Sequence, residues 1–304
     1  MGENINGPSL IEAPVWLPNR LGRYYLYFAH HDGHYIRLAI ADDIAGPWRM
    51  HEPGVLSAEQ SHFPHVDPPE PPPEERPVWA KHMKGGYLYA HIASPDIHID
   101  DSARQLRMYF HGLLPNGEQA TRLALSGNGL DFTVNEPLLG PPYFRAFVRD
   151  GWIYTIAWGG SLWRSRHWHE PFEEGPNLIH YAAKDGIGEG FRHGETHVTG
   201  DTLYVIFTRM GDAPERLLYS RVEMRGNWLD WRAGGVEELL APELPWEGTD
   251  LPVRTSTMGA ERQRVRELRD ACVFHDTDGE TYLLYCGAGE SGIGIAKLER
   301  ASIG

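Results

Sequence analysis

The 304-residue chain predicts an all-β fold, a five-bladed β-propeller, on three observations. An aromatic-rich, strongly β-prone strand recurs five times, beginning at Tyr24, Leu106, Trp152, Thr202 and Thr281. Each recurrence is followed by a turn and a second short apolar run, so the repeating unit is a strand-turn-strand hairpin. The intervals are 82, 46, 50 and 79 residues, and a period of about 50 residues suits a four-stranded blade. A β-sandwich with long loops is the main structural competitor, but it gives no reason for a fifth copy of the same pattern. The chain therefore reads as one propeller domain, residues 1–304, with insertions at about 58–80 and 237–266.

The first copy runs Tyr24-Tyr25-Leu26-Tyr27-Phe28, turns through His30-His31-Asp32-Gly33, continues from Tyr35 to Ala41 and closes at Gly46-Pro47-Trp48. The second has Leu106 to His111 and Thr121 to Ser126, ending at Asn128-Gly129-Leu130-Asp131-Phe132. Trp152 to Trp158 and Ser161 to Arg166 form the third; Thr202 to Arg209 and Arg216 to Glu223 form the fourth. The fifth is the most complete, with Arg269-Asp270, the apolar run Ala271 to Phe274, an acidic turn, Thr281 to Cys286, a Gly-rich hinge and Ile293 to Leu298. The Pro-rich segment Pro64 to Pro77 is excluded from regular structure and reads as a surface loop. In the other insertion, Glu237 to Arg266, the charged end Gly259 to Leu268 is expected to form a short helix.

With 28 basic against 42 acidic side chains the net charge is -14, and no basic stripe is present, which argues against nucleic acid and anionic membranes as partners. Apolar stretches fall short of the roughly 18 residues of a membrane span, and Met1 to Ser9 is polar, so a cytoplasmic protein is expected. Cys272 and Cys286 lie on neighbouring strands of the last module, where a disulfide is geometrically possible; buried free thiols are the expectation. No cofactor is expected; no His or Glu spacing on a helix supports a metal site, and a structural or central divalent metal is left open.

In a propeller the innermost strand of each blade begins near the axis, so chemistry is sought at the blade heads. Asp270 lies 12 positions before Tyr282 and Asp96 lies 12 before Met108, which makes these two acids equivalent by count. Arg145 heads the third blade and Glu195 the fourth, within Gly194-Glu195-Thr196-His197. The first is ambiguous, with Asn6 and Gly7 before an apolar run and Glu12 further on. Arg145 has two open roles, ion-pair partner of one of the acids or a fork onto a substrate carboxylate. His91, His98, His111 and His197 lie near blade heads or strand ends and are candidate proton carriers or substrate contacts. Trp158, Trp163 and Trp168 are candidates for a wall on which sugar faces stack.

The head Arg269-Asp270-x-x-x-Phe274 with its Asp-Gly turn and Tyr-Leu-Leu-Tyr strand, together with Tyr24-Tyr25-Leu26-Tyr27 and Gly46-Pro47-Trp48, resembles the five-bladed glycosidases of glycoside hydrolase family 43 and their relatives. The resemblance implies a carbohydrate-active enzyme that cleaves glycosidic bonds of small oligosaccharides with three acids from different blades. It implies Glu195 as general acid, with a pKa raised by desolvation, and Asp96 as the base or tuning carboxylate, with Asp270 as the further catalytic candidate. The departure is in the first blade, where Asn6-Gly7-Pro8-Ser9 replaces an Ala-Asp-Pro-like head, so the usual base is missing unless Glu12 replaces it. Two alternatives stay open. One is a polysaccharide or glycoside lyase in which Arg145 neutralises a uronate while a His or Tyr removes the adjacent proton; the other is a non-catalytic glycan-binding propeller.

Overall fold

The computed structural model describes residues 4–29, 33–76, 88–179 and 190–299. The turn at His30-His31-Asp32 and the end of the Pro-rich segment at Pro77 lie outside the described residues. The chain is all-β, in five antiparallel sheets. Sheet one is β1 (Asn6–Glu12), β2 (Tyr24–Ala29), β3 (Tyr35–Ala41) and β4 (Arg49–Ser57); sheet two is β5 (Ile92–Asp100), β6 (Gln105–Leu113), β7 (Gln119–Ser126) and β8 (Thr133–Val134). Sheet three is β9 (Arg145–Arg149), β10 (Trp152–Ile156), β11 (Ser161–Ser165) and β12 (Glu173–Asn177); sheet four is β13 (Gly190–Thr199), β14 (Thr202–Met210), β15 (Leu217–Glu223) and β16 (Ala233–Leu240). Sheet five has three strands, β17 (Leu268–His275), β18 (Thr281–Gly287) and β19 (Gly292–Lys297). In every sheet the strands pair in chain order, so each is a simple meander. The two-strand repeats read from the sequence are the second and third strands of the five sheets.

The residues gather into two compact units, one of Met1–Pro8 with Tyr143–Gly304 and one of Ser9–Pro142. In the second, Tyr25, Tyr27, Ile36, Leu38, Ile40, Met108 and Phe110 share one apolar core. The first shows why its strands are apolar at successive positions. On β14, Leu203, Val205 and Phe207 pack with Phe147, Tyr154 and Leu162 of sheet three, while Tyr204 and Ile206 pack with Leu268, Leu283 and Tyr285 of sheet five. Side chains alternate across a strand, so a sheet covered on both faces is apolar at odd and even positions alike.

The segment expected to be helical before Leu268 is irregular. Within it, Gly259 O accepts from Arg192 and Arg269, both at 3.3 Å, and Glu261 O from the Asn4 side chain at 2.7 Å, where a helix would use its own amides; just before it, Thr257 O accepts from Arg192. The start of that insertion, from Glu237, is not loop but the second half of β16. A short turn at Pro245–Glu247 lays Trp246 against sheet five; a Cβ at Gly287 or Gly294 would meet the indole at 2.2 or 2.3 Å. Glu247 also accepts the Tyr285 hydroxyl at 2.6 Å. The insertion thus docks on the sheet that has three strands among the described residues. Cys272 and Cys286 are buried free thiols, and Cys286 donates to the carbonyl of Ile5 at 3.1 Å.

Candidate active site

Three inner strands carry the same irregularity. On β5, β13 and β17 the register slips by one residue between Ala93 and Asp96, Phe191 and Gly194, and Arg269 and Cys272. Two residues then face one on the neighbouring strand, a β-bulge, which re-aims side chains. Ser94 and Asp270, the first bulged residues of β5 and β17, have φ of 48° and 50°. Backbone outliers of this kind cost of order 1–3 kcal/mol and concentrate at functional sites. The register also corrects the count that equated Asp96 with Asp270. Asp96 pairs with Tyr109 just beyond its bulge, where β17 has Cys272, whereas Asp270 lies inside its bulge, where β5 has Ser94. Unequal hairpin turns, closing at Asp100 with Gln105 and at His275 with Thr281, offset the spacing.

In the first unit, Arg145, Glu195 and Asp270 meet through the N-terminal segment. Arg145 Nε lies 3.5 Å from Glu195 Oε2, and its Nη2 donates to Pro8 O at 3.4 Å. Glu195 Oε1 accepts from the Thr196 amide at 2.6 Å. Asp270 Oδ2 accepts from the Gly7 amide at 3.2 Å, and its Oδ1 meets His193 Nδ1. The His193 ring packs on Tyr143, centroids 4.3 Å apart, and Tyr143 itself has φ of 66°. Arg145, Glu195 and Asp270 are all buried. Arg145 is thus placed as an ion-pair neighbour of Glu195.

His193 is not among the residues the sequence singles out, and Tyr143 shows there only as part of the aromatic setting of Arg145, Tyr143-Phe144-Arg145. His193 directly precedes the head Gly194-Glu195-Thr196-His197: Arg192-His193 are the two bulged residues before Gly194-Glu195. With Asp270 ionised, His193 Nδ1 carries its proton and Nε2 is left as the basic nitrogen. The first sheet contributes backbone here, a donor at Gly7 and an acceptor at Pro8, and no carboxylate. Glu12 ends β1 and is paired with Arg23 at 3.0 Å.

Gly194 is required for space. A Cβ there would lie 2.4 Å from Phe191 Cζ and 3.3 Å from Ile156 Cγ2. Gly194→Ala is therefore expected to cost about 1–3 kcal/mol, as overpacking does, read as a lower urea midpoint; an unchanged midpoint would mean that Phe191 swings aside freely.

Behind Asp270 lies a buried ionic network. Arg269 Nη2 reaches Glu267 at 2.6 Å, its Nη1 reaches Glu290 at 2.9 Å, and its Nε lies 3.5 Å from Glu215. Arg192 grips Glu215 with two bonds of 2.7 and 3.0 Å. Burial alone would favour neutral Arg269, but the fields of Glu215, Glu290 and Glu267 overcome it and push its pKa up. Asn4 joins through Glu290 Oε2 at 2.8 Å. Arg269 is thus anchored on one side of the bulge while Asp270 is presented to His193 and Gly7.

In the second unit, Asp96 is buried and its Oδ2 lies 2.9 Å from His98 Nε2. Burial and then the charge of Asp96 push the Tyr109 hydroxyl pKa up. The Ile97 amide donates to Ser9 Oγ at 3.0 Å. His91 and His111 are buried edge to face, centroids 5.7 Å apart, with His91 Nδ1 2.8 Å from Tyr89 O. Trp158 is half-buried in a short turn, Trp158–Gly160, that packs against β13; Trp163 Nε1 donates to Ser161 Oγ at 2.9 Å.

His197 faces His275 across β13 and β17. Burial first and His275 second lower its pKa to about 4, and burial lowers that of His275. Because the folded-state value lies below the unfolded 6.5, the unfolded chain takes up the proton first as pH falls. The stability contributed by neutral His197 is complete above about 6.5 and is lost towards about 4. The loss is expected to be on the order of 1 kcal/mol once partial exposure is allowed for; urea midpoints against pH measure it, and His197→Gln should flatten the profile.

Among the described residues no group of three or more His, Cys, Asp or Glu is arranged to hold a metal ion, and no helix is long and apolar enough to cross a membrane. No family model matches the chain. Its fold is shared with the Cellvibrio cellulosa α-L-arabinanase, solved with arabinohexaose, at a TM-score of 0.59 and 14% identity over 97% of this chain and 92% of that one. A thermostable family-43 glycoside hydrolase gives a TM-score of 0.59 at 13% identity, over 97% and 90%. The endo-1,4-β-xylanase of Bacteroides thetaiotaomicron gives 0.60 at 12%, over 97% and 94%. The fold is therefore the five-bladed β-propeller of the family-43 type. In sequence, the chain is similar to the "Uncharacterized protein R118" of Acanthamoeba polyphaga mimivirus, 36% identical over 315 residues, 98% of this chain and 84% of that protein, and it belongs to the family of that protein.

Proposed function

We propose that the protein is a carbohydrate-active enzyme that hydrolyses glycosidic bonds in small oligosaccharides, with pentose oligomers the first class to test. The observation that carries this reading is the pair of buried carboxylates, Glu195 and Asp270, each held by a nitrogen partner in one polar cluster on strands β13 and β17. Glu195 is assigned the general acid. A guanidinium beside it favours the ionised carboxylate, so a substrate group that draws Arg145 away is what frees Glu195 to carry a proton. Asp270 acts as base directly or through His193, which it orients. An inverting site would need acid and base roughly 6.5 to 9.5 Å apart, with room for water between them.

A lyase is the second reading, favoured by the His193–Asp270 contact and by the absence of a carboxylate from Asn6-Gly7-Pro8. Arg145 would then neutralise a uronate while His193 takes the neighbouring proton. Incubation with arabino-, xylo- and uronate-containing oligosaccharides separates the readings. Hydrolysis raises reducing ends without new ultraviolet absorbance, elimination raises both, and binding without turnover would favour a glycan-binding propeller.

A further inference from the structure

The later part of β13 and the end of β17 bring two imidazoles face to face. His197 Nδ1 and His275 Nε2 are 3.2 Å apart, with ring centroids 5.0 Å apart and planes inclined at 32°. The far nitrogen of each ring meets a threonine hydroxyl, His197 Nε2 with Thr199 at 3.1 Å and His275 Nδ1 with Thr281 at 3.0 Å. Strand geometry sets both contacts. Thr199 is two residues beyond His197 on the same face of β13, and Thr281 is the cross-strand partner of His275. Tyr204, the cross-strand partner of His197, packs beside its ring at 5.6 Å.

When each N–H is directed at its threonine, the two facing nitrogens are bare acceptors, and acceptors this close repel unless a cation sits between them. Imidazole nitrogens bind zinc at about 2.0–2.1 Å, so two of them on a tetrahedral centre stand about 3.3–3.4 Å apart. The observed separation is close to that edge. A hydroxyl behind each ring is the kind of outer partner that fixes the tautomer and orientation of a metal-bound histidine.

We propose that His197 and His275 form a two-histidine site for a divalent transition-metal ion, Zn2+, Ni2+ or Cu2+, with water in the remaining positions. Nitrogen ligands select this class over Ca2+ and Mg2+, which take oxygen. The ion would tie β13, the strand of His193 and Glu195, to β17, the strand of Asp270. The proposal is independent of the reaction the protein catalyses.

Zn2+ titrated into the metal-stripped full-length chain near pH 7.5, followed by calorimetry and thermal unfolding, tests it. One equivalent is expected to bind and raise the midpoint by a few degrees, while Mg2+ and Ca2+ leave it unmoved. His197→Gln and His275→Gln should each weaken binding at least tenfold and abolish the shift; Thr281→Val should weaken it severalfold, and His34→Gln at another exposed histidine should leave it intact. Should the histidine variants fail to fold, the paramagnetic resonance spectrum of Cu2+ on the wild-type chain decides, with coupling to two imidazole nitrogens expected. An equal shift in wild type and His275→Gln, no shift in wild type, or a Cu2+ spectrum without two-nitrogen coupling would overturn the proposal and leave an N–H···N hydrogen bond.

Discussion

Arg269→Met should unfold the protein or lower its stability by about 3–5 kcal/mol, the cost of removing one partner from a buried ionic group. Glu215, Glu267 and Glu290 are 0–1% exposed, and Arg269 reaches all three. Without the guanidinium, Glu215 retains Arg192 and Glu290 retains Asn4, while Glu267 is left with the more distant Arg254 at 3.6 Å among the described residues. Carboxylates in that position must take up protons or draw in water, and either costs stability. Arg254→Ala is the internal control, because that side chain is 46% exposed, and its loss should cost less than about 1 kcal/mol. Urea unfolding of both variants measures the difference. Equal midpoints would mean that the network sets geometry and contributes little net stability, as some buried ion pairs do.

Glu195→Gln should lower turnover about 100-fold or more on a substrate with a poor leaving group, and much less on one whose leaving group departs without a proton. The amide keeps the shape of the side chain and removes the transferable proton. Asp270→Asn should reduce both rates, since it removes the acceptor of the Gly7 amide bond in its charged form and the group that orients His193. The contrast between substrates is what identifies an acid. If Glu195→Gln slows both alike, proton donation belongs elsewhere, and His193 is the nearest candidate by geometry.

Much of the fold was legible because a strand covered on both faces leaves a plain mark: Tyr24 to Phe28, all buried, is apolar or aromatic at every position. The inner strands were harder. β9 and β13 carry Arg145, Arg192, His193 and Glu195 where a buried strand would be apolar, so their role shows only in polar departures from the pattern. The bulges were invisible, since a one-residue slip leaves no letter in the chain. Counting from hairpin to head therefore misaligned Asp96 and Asp270, and stopped one residue short of His193. The charged end of the second insertion looked helical because charge pattern alone does not reveal that Arg192 and Arg269 capture the carbonyl of Gly259, where the helix would begin.

The most direct measurement of whether this propeller is a glycosidase is mass spectrometry of the products formed from pentose and uronate oligosaccharides in heavy-oxygen water. Hydrolysis places one heavy oxygen in each new reducing end, and the label should appear with the wild-type chain and fall at least about 100-fold in initial rate with Glu195→Gln when the leaving group is poor. Cleavage products without the label, carrying an unsaturated end, would contradict hydrolysis in favour of elimination, and intact oligosaccharides after prolonged incubation would contradict catalysis on these sugars altogether.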